Sequence, residues 1–303
     1  MASDVVVLEG RADVVLWSFL LTLTHSVETL IVDFHTHSLA SDGALSPREL
    51  LEQARGRGIE QFAITDHDTI AGWESLESAD YAGLSLISGV ELSCVWGGST
   101  VHVIGLGFDP HCEPMQRLLK ALAHARQVRG QTIAKRLEQN GMPGAWEGAT
   151  KVAGKAQLCR PHFALWMVQS GFVDSVSQAF DRYLGAGKLG DVKTHWPLMK
   201  DVLTAITASN GLSVLAHPLH YKLTRTKLRA LCAAFVEGGG EAIEVINGRQ
   251  SESDTASLCR LAREFACRVS VGSDFHREWR YGTQLGIDVD ILKDVQGVWE
   301  QFL

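Results

Sequence analysis

Short runs of β-branched and apolar residues recur along the chain, separated by stretches of helical periodicity. The runs predict strands at IVDFH (31–35), QFAIT (61–65), SLISGVEL (85–92), VHVIGLGF (101–108), LSVLAH (212–217), EAIEVI (241–246) and RVSVG (268–272). The helices between them have readable ends. Ser46-Pro47-Arg48-Glu49 is a capping box with proline at the first helical position, and Gly58 suits its stop. Pro197 opens another helix that should end near Gly211, and residues 225–237 and 253–266 are further helical stretches. Strand–helix alternation of this kind predicts an α/β fold with mostly parallel strands.

The middle of the chain breaks the alternation. From 112 to 186 there is helical periodicity and no convincing strand. EPMQRLLKALAHARQVRGQTIAKRLEQNG is a long amphipathic helix ending at Gly141, followed by helical stretches in RPHFALWMVQSG and SVSQAFDRYLG. The expected organisation is one α/β domain in two parts, 31–111 and 187–303, with 112–186 as a helical insertion over it. Residues 1–30 look like an N-terminal extension. Its apolar run VVLWSFLLTL, 14–23, is about half of what a spanning helix needs. Asp4, Glu9 and Asp13 occupy the region a signal peptide keeps basic.

Composition narrows the class. The 303 residues are 46% hydrophobic, enough for one large core or one core plus a small module. A formal net charge of −7 gives no global attraction for nucleic acid, so a polyanion needs a local patch of cations or metal ions. A DNA duplex and a membrane are not expected partners. Six cysteines, Cys94, Cys112, Cys159, Cys232, Cys259 and Cys267, are scattered without a C-x-x-C pair. That suits reduced thiols in a cytoplasmic protein.

The candidate chemistry lies at the strand ends. Side chains two apart on a strand point the same way, so His35 and His37 face one side together and can pinch a metal. One such pair alone would equally suit a polar strand end in solvent. It is not alone. His67 follows a second strand, Glu91 is expected at the end of a third, His102 opens a fourth, His217 ends another, and Asp274 and His276 follow the last. With Asp42 this makes six histidines, two aspartates and one glutamate, mostly at carboxyl ends of apolar runs, where α/β barrels and open sheets build their sites. Nine such groups can hold more than one divalent ion. Asp66 and Asp68, flanking His67, read equally as supports for ligands or as strand-end caps.

HTH-SLASDG, TDHD, GVELS, VHVIGLG, LAHP and GSDFH follow, in order, the motifs of the PHP (polymerase and histidinol phosphatase) family, which the chain resembles from residue 31 onward. The resemblance implies a distorted (β/α)7 barrel holding three divalent ions, usually manganese, with zinc or iron as alternatives. It implies one ion on His35, His37, Glu91 and Asp274, a second on Glu91, His102 and His217, and a third on Asp42, His67 and His276, with Glu91 bridging. A hydroxide held between metals would then attack phosphorus, which puts Glu91, His217 and Asp274 at the catalytic centre.

The metal ligands do not choose the substrate; the insertion is the expected chooser. Its CRPHFA segment puts Arg160 and His162 at a helix start, an anion site if the arginine is not simply solvated. The same string, followed by FDRYL and a glycine–lysine pair, resembles the PHP branch of 3′,5′-nucleoside bisphosphate phosphatases and the 5′→3′ exoribonuclease RNase AM. By that resemblance Arg160, His162 and Lys188 would hold a 5′-phosphate while the neighbouring 3′-phosphorus sits at the metals. The partners implied are nucleoside 3′,5′-bisphosphates and short 5′-phosphorylated RNA. Leu189-Gly190 and the REWRYG stretch after GSDFH depart from the family pattern; Arg277 and Arg280 there read as phosphate contacts or as a solvated loop, the latter slightly favoured. His195 and His220 are candidate proton donors to the leaving oxygen, although a lone histidine near a site is more often structural. Competing functions are a histidinol-phosphate-type phosphomonoesterase and a non-catalytic PHP module.

Overall fold

The computed structural model describes residues 29–192, 196–278, 283–292 and 294–303. Most of the expected N-terminal extension, together with His195 and Arg280, lies outside the described residues. In chain order the elements are β1 (Ile31–Asp33), α1 (Pro47–Gly56), β2 (Gln61–Ile64), α2 (Ala71–Glu74), β3 (Ser85–Trp96) and β4 (Ser99–Leu106). There follow α3 (Glu113–Glu138), α4 (Ala145–Ala153), α5 (Arg160–Gln169), α6 (Val176–Ala179) running into a π-helical turn (Phe180–Leu184), and α7 (Met199–Ala208). The chain closes with β5 (Leu212–Leu215), α8 (Arg225–Glu237), β6 (Ala242–Asn247), α9 (Glu252–Glu264), β7 (Arg268–Gly272) and β8 (Ile287–Asp288).

The strands form one sheet in the order β7-β6-β5-β4-β3-β2-β1-β8. Its two ends are stitched together: Phe34 N–H donates to the Val271 carbonyl at 3.2 Å, and Asp274 N–H donates to the His35 carbonyl at 2.8 Å. The sheet is thus a nearly closed barrel, with β8 an added antiparallel partner of β1. The pairs β1–β2, β2–β3, β5–β6 and β6–β7 are parallel, but β4 runs antiparallel to both its neighbours. The expectation of a mostly parallel α/β sheet therefore holds with one reversed strand. Gly97 and Gly98, both at positive φ, turn β3 directly back into β4, the glycine pair a tight hairpin demands.

The hairpin corrects one placement. Glu91 is not at the end of its strand; β3 continues to Trp96 and pairs with β4 throughout. Pro197 likewise does not open α7. Its carbonyl accepts from Val95 N–H at 2.9 Å, extending the sheet edge, and the helix begins two residues later.

Two apolar clusters account for the middle of the chain. The barrel core takes Met115, Leu118, Leu119 and Leu122 from the first turns of α3. A separate small core takes Ile133, Ala134 and Leu137 from its last turns and adds Phe163, Trp166, Met167, Leu184 and Val192. One long helix therefore lies on the barrel at its start and seeds the cap at its end.

Candidate active site

The structure brings all nine predicted ligands to one mouth of the barrel. His35 and His37 follow β1, His67 follows β2, His217 follows β5, and Asp274 and His276 follow β7. His102 joins them from the start of its strand because β4 is reversed. Glu91 projects from mid-β3 at the centre. His102 Nδ1 and His217 Nε2 lie 2.7 and 2.8 Å from its Oε1, and His67 Nδ1 lies 2.7 Å from its Oε2. His35 Nε2 and His37 Nε2 each stand 3.5 Å from a Glu91 oxygen, and 3.5 and 3.2 Å from Asp274 Oδ1. Asp42 Oδ1 faces His276 Nε2 at 3.4 Å and His67 Nε2 at 3.8 Å.

The donors form overlapping groups close enough to share an ion: His37, Asp42, His67 and His276; His35, His37 and Asp274; His35, Glu91 and His217; His67, Glu91 and His102. His35 Nε2, both ring nitrogens of His37 and Asp42 Oδ1 are buried without a hydrogen-bond partner, and His67 Nδ1 and Glu91 Oε2, although 2.7 Å apart, make no hydrogen bond to each other or to any other group. Buried polar atoms are seldom left so, and imidazole nitrogens with carboxylate oxygens converging at this density fit divalent metals. Burial and the neighbouring His276 and His67 push the His37 imidazole down to about 3, which leaves it a neutral donor.

Residues behind the candidate ligands fix their aim. Glu244 on β6 lies 2.9 Å from His35 Nδ1 and accepts His217 N–H at 2.6 Å. It therefore orients one imidazole and holds the backbone of another ligand, whose φ is +29°. Asp33 accepts N–H bonds from His35, Ser273 and Gly286 at 3.3, 2.9 and 2.9 Å, tying both ligand loops to β1. Asp66 accepts from Ser38 N–H, Ser38 Oγ and Ser41 Oγ at 2.8, 2.5 and 2.6 Å, and so clamps the loop that carries Asp42. Gly272 is needed for close approach: a Cβ there would sit 2.3 Å from the Cβ of His35.

A cavity of about 400 Å³ joins this cluster to the helices that lie between β4 and α7. Asp42, His67 and His102 line one wall, and Arg126, Arg129 and Arg160 another. Arg126 and Arg129 lie one helical turn apart on α3, only 5% and 9% exposed, each with its guanidinium 5.4 Å from the Trp196 ring centroid. Arg126 is paired with Asp68. Arg129 has the Val192 carbonyl as its acceptor, and burial, with Arg160 and Arg126 adding like charge, pushes it down to about 9. Asp191, on the same wall, offsets part of the charge around Arg160.

Arg160 stands at the start of α5, the helix start expected of it, and lines the cavity wall. His162 and Lys188 are not among the residues lining that cavity. The His162 ring folds back to accept Cys159 N–H at 2.9 Å, a helix cap, and Lys188 is exposed on the loop after the π-helical turn. Arg277 is exposed, and His220 stacks on His217 with ring centroids 5.0 Å apart.

The chain itself matches a known family. The model of the PHP domain matches residues 33–187. The chain is 40% identical over 271 residues to a 5′-3′ exoribonuclease of Haemophilus influenzae, covering 89% of this chain and 98% of that protein. This chain belongs to the PHP family. It is 34% identical over 272 residues to a 3′,5′-nucleoside bisphosphate phosphatase of Chromobacterium violaceum, covering 89% of this chain and 95% of that one. A solved structure from the same organism, described as an amidohydrolase with bound sulfate and no metal, superposes with a TM-score of 0.81 at 33% identity, over 89% of this chain and 95% of that one. This PHP protein is a hydrolase of the phosphoesterase class, with a donor set built for divalent metals.

Proposed function

We propose that this PHP protein hydrolyses the 3′-phosphate of nucleoside 3′,5′-bisphosphates and, at the same centre, trims short 5′-phosphorylated RNA from its 5′ end. One observation carries the reading: a single cavity joins three arginines to the metal-donor cluster. A terminal phosphate carries up to two charges, and a buried Arg129 crowded by Arg160 and Arg126 gains by accepting such an anion. The related Chromobacterium violaceum structure is described with bound sulfate, a phosphate-like anion. With a 5′-phosphate on the arginines, the adjacent 3′-phosphorus falls towards Asp42, His67 and His102.

The overlapping donor groups suit three ions, with manganese proposed and zinc or iron also compatible with imidazole-rich sites. His35, His37, Glu91 and Asp274 would hold one, Glu91, His102 and His217 another, and Asp42, His67 and His276 the third. Such ions, when bound, polarise phosphoryl oxygens and make a coordinated water acidic enough to deprotonate near neutral pH. The chain's own residues set register and dryness. The arginines fix the 5′-phosphate, Trp196 packs beneath two of them, and Glu244 and Asp66 hold the ligand loops still. All six cysteines are free, which supports a reducing, cytoplasmic setting.

The test is kinetics on adenosine 3′,5′-bisphosphate, a 5′-phosphorylated oligoribonucleotide and histidinol phosphate with manganese supplied. The first two should be turned over with far higher kcat/KM than the third. Preference for histidinol phosphate, an isolated monoester with no second phosphate to anchor, would reject the reading.

A further inference from the structure

A second cavity, of about 470 Å³, opens beside the donor cluster. It meets the cluster through Asp274 and shares His220 with the arginine-walled cavity; the rest of its wall is different. Asn247, Arg249, Gln250, Ser273 and Thr283 line it, with Leu219 as an apolar face. Its volume is in the range of small-molecule sites. Arg249 is its only arginine or lysine among the described residues, is exposed, and has no protein partner among them. Asp254, also on the wall, is engaged by Ser251 Oγ at 2.8 Å. Asn247 is 6% exposed and is held by Glu244.

The two cavities differ in charge: Arg126, Arg129 and Arg160 with Asp42 and Asp191 line the first, and Arg249 with Asp254 and the candidate metal ligand Asp274 lines the second. That contrast matches the two ends of an RNA substrate: a terminal phosphate of up to two charges on one side, and a chain of singly charged diesters on the other. It also matches the chemistry of the reaction proposed above. In a bisphosphate and in RNA alike, water adds to phosphorus, the P–O3′ bond breaks and O3′ gains a proton. The difference lies at a position that does not react. In the bisphosphate that position is a bare oxygen. In RNA it is the O5′ of the next nucleotide, which stays on phosphorus and needs an outlet other than the cavity holding the first nucleoside.

We infer that the second cavity receives the nucleotide on the 3′ side of the scissile phosphodiester, with Arg249 meeting the phosphate that follows it. The inference rests on the phosphoesterase reading given above. The second cavity then decides whether this centre can serve RNA as well as bisphosphates, and the shortened RNA leaves it with a new 5′-phosphate.

The test compares wild type with Arg249→Ala and Arg249→Glu, metal-loaded, on adenosine 3′,5′-bisphosphate and a 5′-phosphorylated trinucleotide. For Arg249→Ala the ratio of kcat/KM for trinucleotide over bisphosphate should fall about ten-fold, the effect of one phosphate contact, and charge reversal should lower it further. Binding of a 3′-labelled, phosphorothioate-linked trinucleotide, followed by fluorescence anisotropy, should lose about 0.7 from the slope of log K against log salt. An unchanged ratio and slope, or equal loss on both substrates, would overturn the inference. Failure of wild type to hydrolyse either substrate would instead reject the phosphoesterase reading.

Discussion

Arg126 Nε lies 2.6 Å from Asp68 Oδ2, with both side chains buried, so helix α3 is ion-paired to the residue next to the candidate ligand His67. Asp68 has φ +54°, donates its N–H to the Glu91 carbonyl at 2.9 Å and accepts Ser93 N–H at 2.6 Å. The pair therefore links the arginine wall to two ligand-bearing segments. Asp68→Ala leaves a buried guanidinium without its counter-charge, a loss of about 3–5 kcal/mol. A fall in unfolding free energy of that size, read as a lower urea midpoint with unchanged m, is expected. A change within about 0.5 kcal/mol would mean the pair does not hold the cap to the barrel.

Glu244 makes a second prediction. It faces His35 Nδ1 and accepts from His217 N–H, so Glu244→Gln keeps the shape while removing the charge that orients the imidazole. Outer-shell changes of this kind weaken metal binding or activity about 10–100-fold. Competition with a chelator should show the loss in affinity directly, ahead of any change in thermal midpoint. Equal metal affinity in wild type and variant would remove Glu244 from the support of the site.

Much of this was legible in the sequence. Strand β7 and helix α8 fall on the residues that periodicity assigned, and the Ser46–Glu49 capping box forms. The converging donor residues were visible because histidines and acids are conspicuous at the ends of apolar runs. Glu244 was not, since a single glutamate inside EAIEVI reads as the polar member of an alternating strand. Arg126 and Arg129 read as the solvated face of an amphipathic helix, and only the tertiary packing against Trp196 buries them. Helix α4 carried no strong start signal; its N-cap is Gly144, without a side-chain bond. The β3–β4 hairpin had its signal in Gly97-Gly98, which would have placed Glu91 in mid-strand.

The buried Asp33 gives a pH dependence with a defined sign. Burial raises its pKa from 3.8 to about 6, against N–H bonds from Gly286, Ser273 and His35 that lower it. A raised acid holds its proton more tightly folded than unfolded. Its contribution to stability is therefore present below about pH 4 and is lost as pH rises through 6, a change of about 3 kcal/mol. Asp33→Asn does not titrate. In chelator, the stability of wild type minus variant should be greatest near pH 4 and shrink by up to about 3 kcal/mol by pH 7. A pH-independent gap in urea denaturation would show that Asp33 does not carry this shift.

Arg129 and Arg160 should act on the anchoring phosphate rather than on the chemistry. Both line the cavity, and Arg160 donates to the Leu184 carbonyl at 3.2 Å while its guanidinium lies 5.9 Å from the Phe180 ring centroid. Arg129→Ala and Arg160→Ala should each lower kcat/KM for a 3′,5′-bisphosphate by about 10–100-fold, the range for a charge-assisted hydrogen bond. An activated phosphodiester that lacks a 5′-phosphate has nothing to lose there and should change little. Arg129→Lys keeps the charge but not the planar fork, so it should recover only part of the rate. Equal losses on both substrates would place these arginines in the architecture of the centre and not on the 5′-phosphate.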